Sequence, residues 1–210
     1  FVIKQADQAQ QAWDSIGQRE LIAEAFVTFE RETSVIASRD QDGNMVVWPM
    51  TENVHHEGIL RYSLYPAPAL TSDKQAQAEQ YVRQLADSLD YVGTLTLELF
   101  DTANGLVANE VAPRVHNSGH WSIEGATTSQ FRNHMLAISG KTLGQPNAKH
   151  NSVAMLNVIG DEQPALLADS LSNAHRHSYG KEARPQRKLG HITVTADSNA
   201  ERDAIIDQLH

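Results

Sequence analysis

Apolar and polar positions along the chain fall into two periods, and the switches between them mark out the elements. Residues 94–100 alternate strictly, with Leu95, Leu97 and Leu99 on one face and Thr94, Thr96 and Glu98 on the other, as in a strand with one face in the core. Looser alternation with β-branched residues predicts strands over 1–4, 20–27, 32–39, 45–50 and 59–65, the middle ones forming an antiparallel meander through Asp42-Gly43. His55, His56, Glu57 and Gly58 interrupt that series, and Pro66 and Pro68 close it because proline cannot donate to a sheet ladder. The period lengthens over 73–89, where Ala78, Tyr81, Val82, Leu85, Ala86 and Leu89 form one helical stripe behind a Thr71 or Ser72 cap. Further helices are expected over 6–16 with Gly17 as a stop, over 129–138 behind Ser129, after Pro164, and over 198–209. Strands at 106–111, 152–159, 174–179 and 191–196 complete the set. Gly, Pro and polar residues at 140–151 read as a boundary before a smaller second unit. The fold class is α+β, a mixed and mostly antiparallel sheet with packed helices.

Composition narrows the function classes. A chain of 210 residues, 40% hydrophobic and 20% charged, is a folded protein of one to two domains. Its longest apolar runs fall far short of the roughly 18 residues a membrane helix needs, so no membrane partner is expected. With 17 Lys plus Arg against 26 Asp plus Glu, the net charge of -9 lacks the basic field that drives nucleic-acid binding. Zero Cys excludes disulfides, thiolate catalysis and Cys-based zinc sites, and suits the reducing cytoplasm, which is the expected location.

Candidate chemistry begins in the hairpin over 95–110. A three-residue loop Ala103-Asn104-Gly105, with Gly105 as a G1 bulge, pairs Thr102 with Leu106, and counting back sets Glu98 opposite Glu110. Two carboxylates so close repel unless a cation or proton lies between them. Mg²⁺ suits such a pair, since it takes one or two carboxylates and completes its shell with water and phosphate oxygens. Spacing alone leaves open the alternative of two solvated acids on an exposed face.

The loop that follows, Ala112-Pro-Arg-Val-His-Asn-Ser-Gly-His-Trp121, concentrates groups that bind anions and orient nucleophiles, or else forms an ordinary hydrogen-bonded surface loop. His116 and His120 are four apart, but Gly119 and the missing carboxylate argue against zinc. Lys181, Arg184, Arg187 and Lys188 reverse the local sign of an acidic chain, as a phosphate cradle or a solvated face.

Asn109-Glu-Val-Ala-Pro-Arg-Val-His-Asn-Ser-Gly-His-Trp121, continued by Glu124-Gly-Ala and Ser129-Gln-Phe, resembles the signature of the N5-carboxyaminoimidazole ribonucleotide synthases, ATP-grasp enzymes of purine biosynthesis. The resemblance extends through 49–62 and 181–191 and so covers essentially the whole chain. It implies part of an ATP-grasp domain over 1–144 and a small C-terminal α/β domain over 145–210. It also implies a ligase reaction: ATP activates bicarbonate as carboxyphosphate, and the amine of 5-aminoimidazole ribonucleotide is carboxylated, leaving ADP and phosphate. On the same basis Glu98 and Glu110 bind Mg²⁺, while Glu24, Ala25, Phe26 and Val27 flank the adenine and Glu32 meets the ribose. His55 and Asn109 match nucleotide-contacting positions. Arg114, His116, Asn117 and Ser118 match the loop between transferred phosphate and ribonucleotide, with the first three catalytic, and Lys181, Arg187 and Lys188 match the ribonucleotide phosphate site. A homodimer is implied as well. Family members carry an N-terminal domain, nucleotide-binding lysines and a Gly-rich loop ahead of the strand that 1–4 resembles. The chain therefore reads as a C-terminal portion, inactive alone. The alternatives are another ATP-grasp ligase or formyltransferase acting on a purine ribonucleotide, and a non-catalytic nucleotide-binding module.

Overall fold

Leu95, Leu97 and Leu99 are buried, as their alternation requires, and the strand that carries them, β5 (Gly93–Thr102), is central to one half of the sheet. The computed structural model describes residues 1–209. In chain order the strands are β1 (Arg31–Arg39), β2 (Met45–Val47), β3 (Thr51–His56), β4 (Ile59–Tyr65), β5, β6 (Gly105–Ala112), β7 (Ser152–Ile159), β8 (Ala174–Ser178) and β9 (Lys188–Ala196). They form one sheet in the order β6-β5-β1-β3-β4-β7-β9-β8, with β2 beside β1, and every pairing is antiparallel. The helices are α1 (Gln8–Ile16), α2 (Ser72–Ser88), α3 (Ser122–Gly125), α4 (Gln130–Ile138), α5 (Gln163–Ala168) and α6 (Asn199–Leu209).

Three apolar clusters hold the helices on the sheet. Ala78, Val82 and Ala86 of α2 pack on Leu95, Leu97, Leu99, Val35 and Ala37. The opposite face buries Ile36, Trp48, Leu60, Trp121, Val153 and Met155. In the second half, Leu156, Val158, Ile192 and Val194 meet Ala165 and Ala168 of α5 and Ile205, Ile206 and Leu209 of α6. Alternate residues of β7 thus belong to two cores, which explains its nearly continuous apolar run. Thr71 and Ser129 cap α2 and α4 by accepting the backbone N–H groups of Lys74 and Arg132.

The structure corrects several expected elements. Residues 1–4 and 20–27 are not strands: no ladder partner reaches them among the described residues, and extended backbone becomes sheet only when its N–H and C=O groups are paired. The segment 45–50 ends its pairing at Val47, and β3 begins at Thr51. His55 and His56 lie inside β3, so the interruption shrinks to Glu57 and Gly58, whose φ values of 51° and 74° make a two-residue turn of the kind that fits strand twist. Polar Thr51, Asn53 and His55 hid this strand because they face a polar site rather than a core.

Asp101 anchors the end of β5. Its buried carboxylate lies 2.9 Å from Arg31 Nε and 2.6 Å from Lys74 Nζ. Burial alone would raise its pKa, but the hydrogen bonds and charges of Lys74 and Arg31 outweigh it and hold the group below the usual carboxylate range. Asp101→Asn strands two cations beside a neutral amide. It is expected to cost roughly 3 kcal/mol, seen as a fall of about 6–12 °C in thermal unfolding followed by circular dichroism. A variant melting within about 1 °C of the parent would contradict this assignment.

Candidate functional site

On the sheet face away from α2, register aligns Glu110, Glu98, Ser34 and Thr51 in one row and Glu32, Asn53 and Ser63 in the next. Glu98 and Glu110 are direct partners, but the turn that sets them so differs from expectation. Thr102 pairs with Gly105 across a two-residue turn, its hydroxyl accepting Asn104 N–H at 3.1 Å and donating to the Gly105 carbonyl at 2.8 Å. The register then shifts at a bulge: Leu99 pairs with Ala108, and Asn109 is the extra residue before Glu110. The bulge lies beside the carboxylates rather than in the turn, and the same one-residue offset restores the pairing.

The loop after β6 is held onto this face by Gln130, which is fully buried. Gln130 Oε1 accepts His116 N–H at 2.9 Å, and Nε2 donates to the His116 carbonyl at 2.6 Å and to His120 Nδ1 at 3.0 Å. A Cβ at Gly119 would stand 2.3 Å from Ile36 and 2.7 Å from Gln130, so only glycine permits this approach. His116 begins the 3-10 turn Asn117–Gly119, with Nδ1 accepting Ser118 N–H at 3.4 Å and contacting Ser118 Oγ at 2.8 Å. An accepting Nδ1 leaves the proton on Nε2, which lies 3.1 Å from Glu98 Oε1. The hydroxyls form a row behind it, Ser118 to Ser34 at 2.8 Å and Ser34 to Thr51 at 3.0 Å, with Asn53 Oδ1 3.5 Å beyond Thr51. This network fixes the imidazole with its Nε2 edge toward Glu98.

Lys188, at the start of β9, donates to Asn117 Oδ1 at 2.7 Å. With His55, Leu60, Glu98, Glu110, His116, Asn117 and Gln186 it lines an open groove of about 480 Å³. His55 Nδ1 is 3.1 Å from Glu32 Oε2, off the direction of a hydrogen bond. Burial, then Glu110 and Glu32, raise the pKa of Glu98 against the pull of Lys188 and Arg114. Burial lowers Lys188, with Arg114 and Lys181 adding to the shift and Glu98 opposing it. Burial also lowers His55, partly offset by Glu32, and lowers His116 to about 4 with help from Arg114 and Lys188. A raised carboxyl facing a second carboxylate is the electrostatic state that a bound cation relieves. Among the described residues no group of three or more His, Cys, Asp or Glu is arranged around a metal. A cation between Glu98 and Glu110 would take its protein ligands from these two carboxylates, which would suit a hard divalent ion that keeps water and phosphate ligands.

A second groove, about 800 Å³ and mostly apolar, adjoins the first at the bulge. Glu24, Ala25, Phe26 and Val27 line it with Phe29, Phe100, Ala108 and Asn109, and Phe29 stacks on Phe100 at 4.5 Å. Its walls are apolar and aromatic, while the polar groove next to it presents donors and carboxylates.

The family model of the ATP-grasp domain matches residues 1–131. The chain belongs to the ATP-grasp family. A second family model, the phosphoribosylaminoimidazole carboxylase C-terminal domain, matches residues 153–204. The chain is 41% identical to the N5-carboxyaminoimidazole ribonucleotide synthase of Vibrio cholerae, an alignment covering 99% of this chain and 56% of that protein. It is 42% identical to the synthase of Pseudomonas aeruginosa, over 99% of this chain and 57% of that one. The solved synthetase of Thermus thermophilus superposes with a TM-score of 0.95 at 44% identity, covering all of this chain and 58% of that one. The Aspergillus clavatus enzyme, solved with ADP and 5-aminoimidazole ribonucleotide, superposes with a TM-score of 0.94 at 32% identity, over all of this chain and 58% of that chain. This ATP-grasp chain thus spans a little more than half the length of the relatives it matches.

Of the residues singled out from sequence, the ATP-grasp fold gathers Glu98, Glu110, His55, His116, Asn117 and Lys188 at one groove, with Ser118 and Glu32 directly behind it. Glu24 to Val27 and Asn109 meet at the other groove. Arg114 is exposed, donating to the Val115 carbonyl at 3.1 Å, and reaches Glu98, His116 and Lys188 through its charge. Lys181 is exposed, 5.2 Å from the centre of the Tyr179 ring, and Arg187 lies in the turn before β9 outside the groove lining. Sequence reading missed Gln130, Ser34 and Asn157. Asn157 had a signal, a polar residue inside the apolar run of β7; Gln130 stood in the Ser129-Gln-Phe stretch of the resemblance with no role read for it, and Ser34 had no signal.

His120 and His191 are likewise depressed by burial, to about 4 and about 3. These histidines are neutral in the fold and ionise near 6.5 in the unfolded chain, so the unfolded state binds more protons below that pH. Stability is therefore lost as pH falls from about 6.5 toward 4, by up to about 1.4 kcal/mol per pH unit for each histidine. Urea unfolding across this range is expected to show that slope, and His191→Gln to reduce it by about one proton. An unchanged slope in the variant would contradict the assignment.

Proposed function

We propose that this chain supplies the magnesium, nucleotide and phosphoryl-transfer groups of an ATP-dependent carboxylation. In that reaction bicarbonate becomes carboxyphosphate and the amine of 5-aminoimidazole ribonucleotide is carboxylated, giving N5-carboxyaminoimidazole ribonucleotide, ADP and phosphate. One observation carries this reading: Glu98 and Glu110 face each other where a mostly apolar groove meets a groove lined by donors. The relatives named for this activity, one solved with ADP and 5-aminoimidazole ribonucleotide, support it.

In this reading Glu24 to Val27 and Asn109 flank the adenine, and Glu32 and His55 lie toward the ribose. Glu98 and Glu110 hold Mg²⁺, which when bound supplies neutralising charge to the phosphate oxygens. His116 sets its Nε2 edge 3.1 Å from Glu98 Oε1, beside the metal position. Arg114 neutralises charge developing on the transferred phosphoryl group, and Asn117 and Lys188 present N–H donors to the carboxylate-like acceptor. Lys181 and Arg187, with Lys188, complete the ribonucleotide side, and Ser118 stands behind His116. We place the boundary between the two units at 144/145 and propose a cytoplasmic homodimer as the working form.

The full encoded protein is expected to release phosphate from ATP only with Mg²⁺, and to do so faster with bicarbonate and 5-aminoimidazole ribonucleotide. Glu110→Gln is expected to lower that stimulated rate by about a hundredfold or more. Stimulation that survives Glu110→Gln would remove the metal role, and turnover indifferent to both co-substrates would remove the reaction.

A further inference from the structure

Two side-chain amides, a backbone carbonyl and a lysine form a directed chain into the donor-lined groove. Asn157, on β7 in the second unit, is joined to Asn117 by reciprocal hydrogen bonds: Asn117 Nδ2 donates to Asn157 Oδ1 at 2.9 Å, and Asn157 Nδ2 donates to Asn117 Oδ1 at 2.7 Å. The second proton on Asn157 Nδ2 goes to the Leu60 carbonyl of β4 at 2.9 Å. Donor and acceptor inventory fixes every member. Leu60 C=O can only accept, so Asn157 must turn its NH₂ toward it. That NH₂ also faces Asn117, which must therefore present its oxygen, and its own NH₂ then meets Asn157 Oδ1. The same Asn117 oxygen accepts Lys188 Nζ, which can only donate. A flipped Asn117 would set NH₂ against both an amide donor and an ammonium.

Asn117 Oδ1 is thus occupied twice, while one Asn117 N–H and two Lys188 N–H groups remain for an incoming anion. We propose that Asn157 is a positioning residue that sets the orientation of Asn117 and, through it, of Lys188, so that the second unit prepares the anion-facing donors of the first. The proposal rests on the carboxylation reading for its kinetic arm. Asn157 touches none of the groups assigned to the adenine groove.

The test is a double-mutant cycle in the full encoded protein with Asn157→Ala, Asn117→Ala and both, plus the isosteric Asn157→Asp. Asn157→Ala is expected to lower kcat/KM for bicarbonate and for the amino ribonucleotide by up to about a hundredfold, as a misplaced contact does. The KM for ATP should stay within about twofold, and the loss should disappear in the Asn117→Ala background. Asn157→Asp, which keeps the volume but replaces the donor, should behave like Asn157→Ala. A merely structural role would raise the KM for ATP as well and cost the same in both backgrounds, and either result overturns the proposal. A crystal structure of Asn157→Ala provides an arm independent of turnover: Asn117 and Lys188 Nζ should move from their present contacts, and finding them unmoved overturns it. If the parent protein shows no bicarbonate-dependent turnover, the carboxylation reading falls and the crystallographic arm alone decides the role of Asn157. A variant too unstable to purify is replaced by Asn157→Ser, judged by the same cycle and crystal structure.

Discussion

Two carboxylates held opposite each other on a sheet face are a standing electrostatic cost, and the rest of the site is arranged around it. The pair exists because β5 and β6 form a tight hairpin whose extra residue, Asn109, sits next to Glu110. The leucines of β5 drive their own face into the α2 core and so force Glu98 to the other side. Half-buried there beside Glu110, Glu98 holds its proton more tightly than an ordinary glutamate. His116 turns its Nε2 edge toward Glu98, its ring held by Ser118, whose hydroxyl meets Ser34 and, beyond it, Thr51. Lys188 and Arg114 contribute charge without closing an ion pair onto the carboxylates. This is the electrostatic state that a divalent cation would relieve.

The chain's two parts are less separate than their boundary in sequence suggests. β4 pairs directly with β7, so a single sheet runs from the carboxylate hairpin to β8. β7 fills a core on each face, and β9 delivers Lys188 to the groove built mostly by the first part. A segment that contributes a lysine at one strand end and an asparagine from another does more than cover a hydrophobic surface.

How much of this was legible in the sequence depended on whether a residue's own periodicity carried the information. β5, α2 and α4 were plain, because each buries one face and carries its own cap or turn. The opposition of Glu98 and Glu110 was recovered although its turn was misplaced, since a one-residue offset has the same effect on distal pairing wherever along the strand it occurs. Residues 1–4 and 20–27 have the composition of strands, but a strand is a property of two segments and the second is not encoded locally. β3 was obscured because its inward residues are polar, serving a site. Gln130, Ser34 and Asn157 act through contacts 14, 84 and 40 residues away in sequence. No spacing rule reaches that far; the oddity of an asparagine within β7 and the place of Gln130 in the Ser129-Gln-Phe stretch were the local signs.

The central claim is that the Glu98 and Glu110 pair is a cation site at the junction of the two grooves. Crystals of the full encoded protein grown with ADP and Mn²⁺ test it most directly, by the anomalous scattering of the metal. The account predicts a peak bonded to an oxygen of each of the two glutamates and to a phosphate oxygen. A peak bound by other residues, or the two carboxylates turned apart with the metal on phosphate alone, would contradict it.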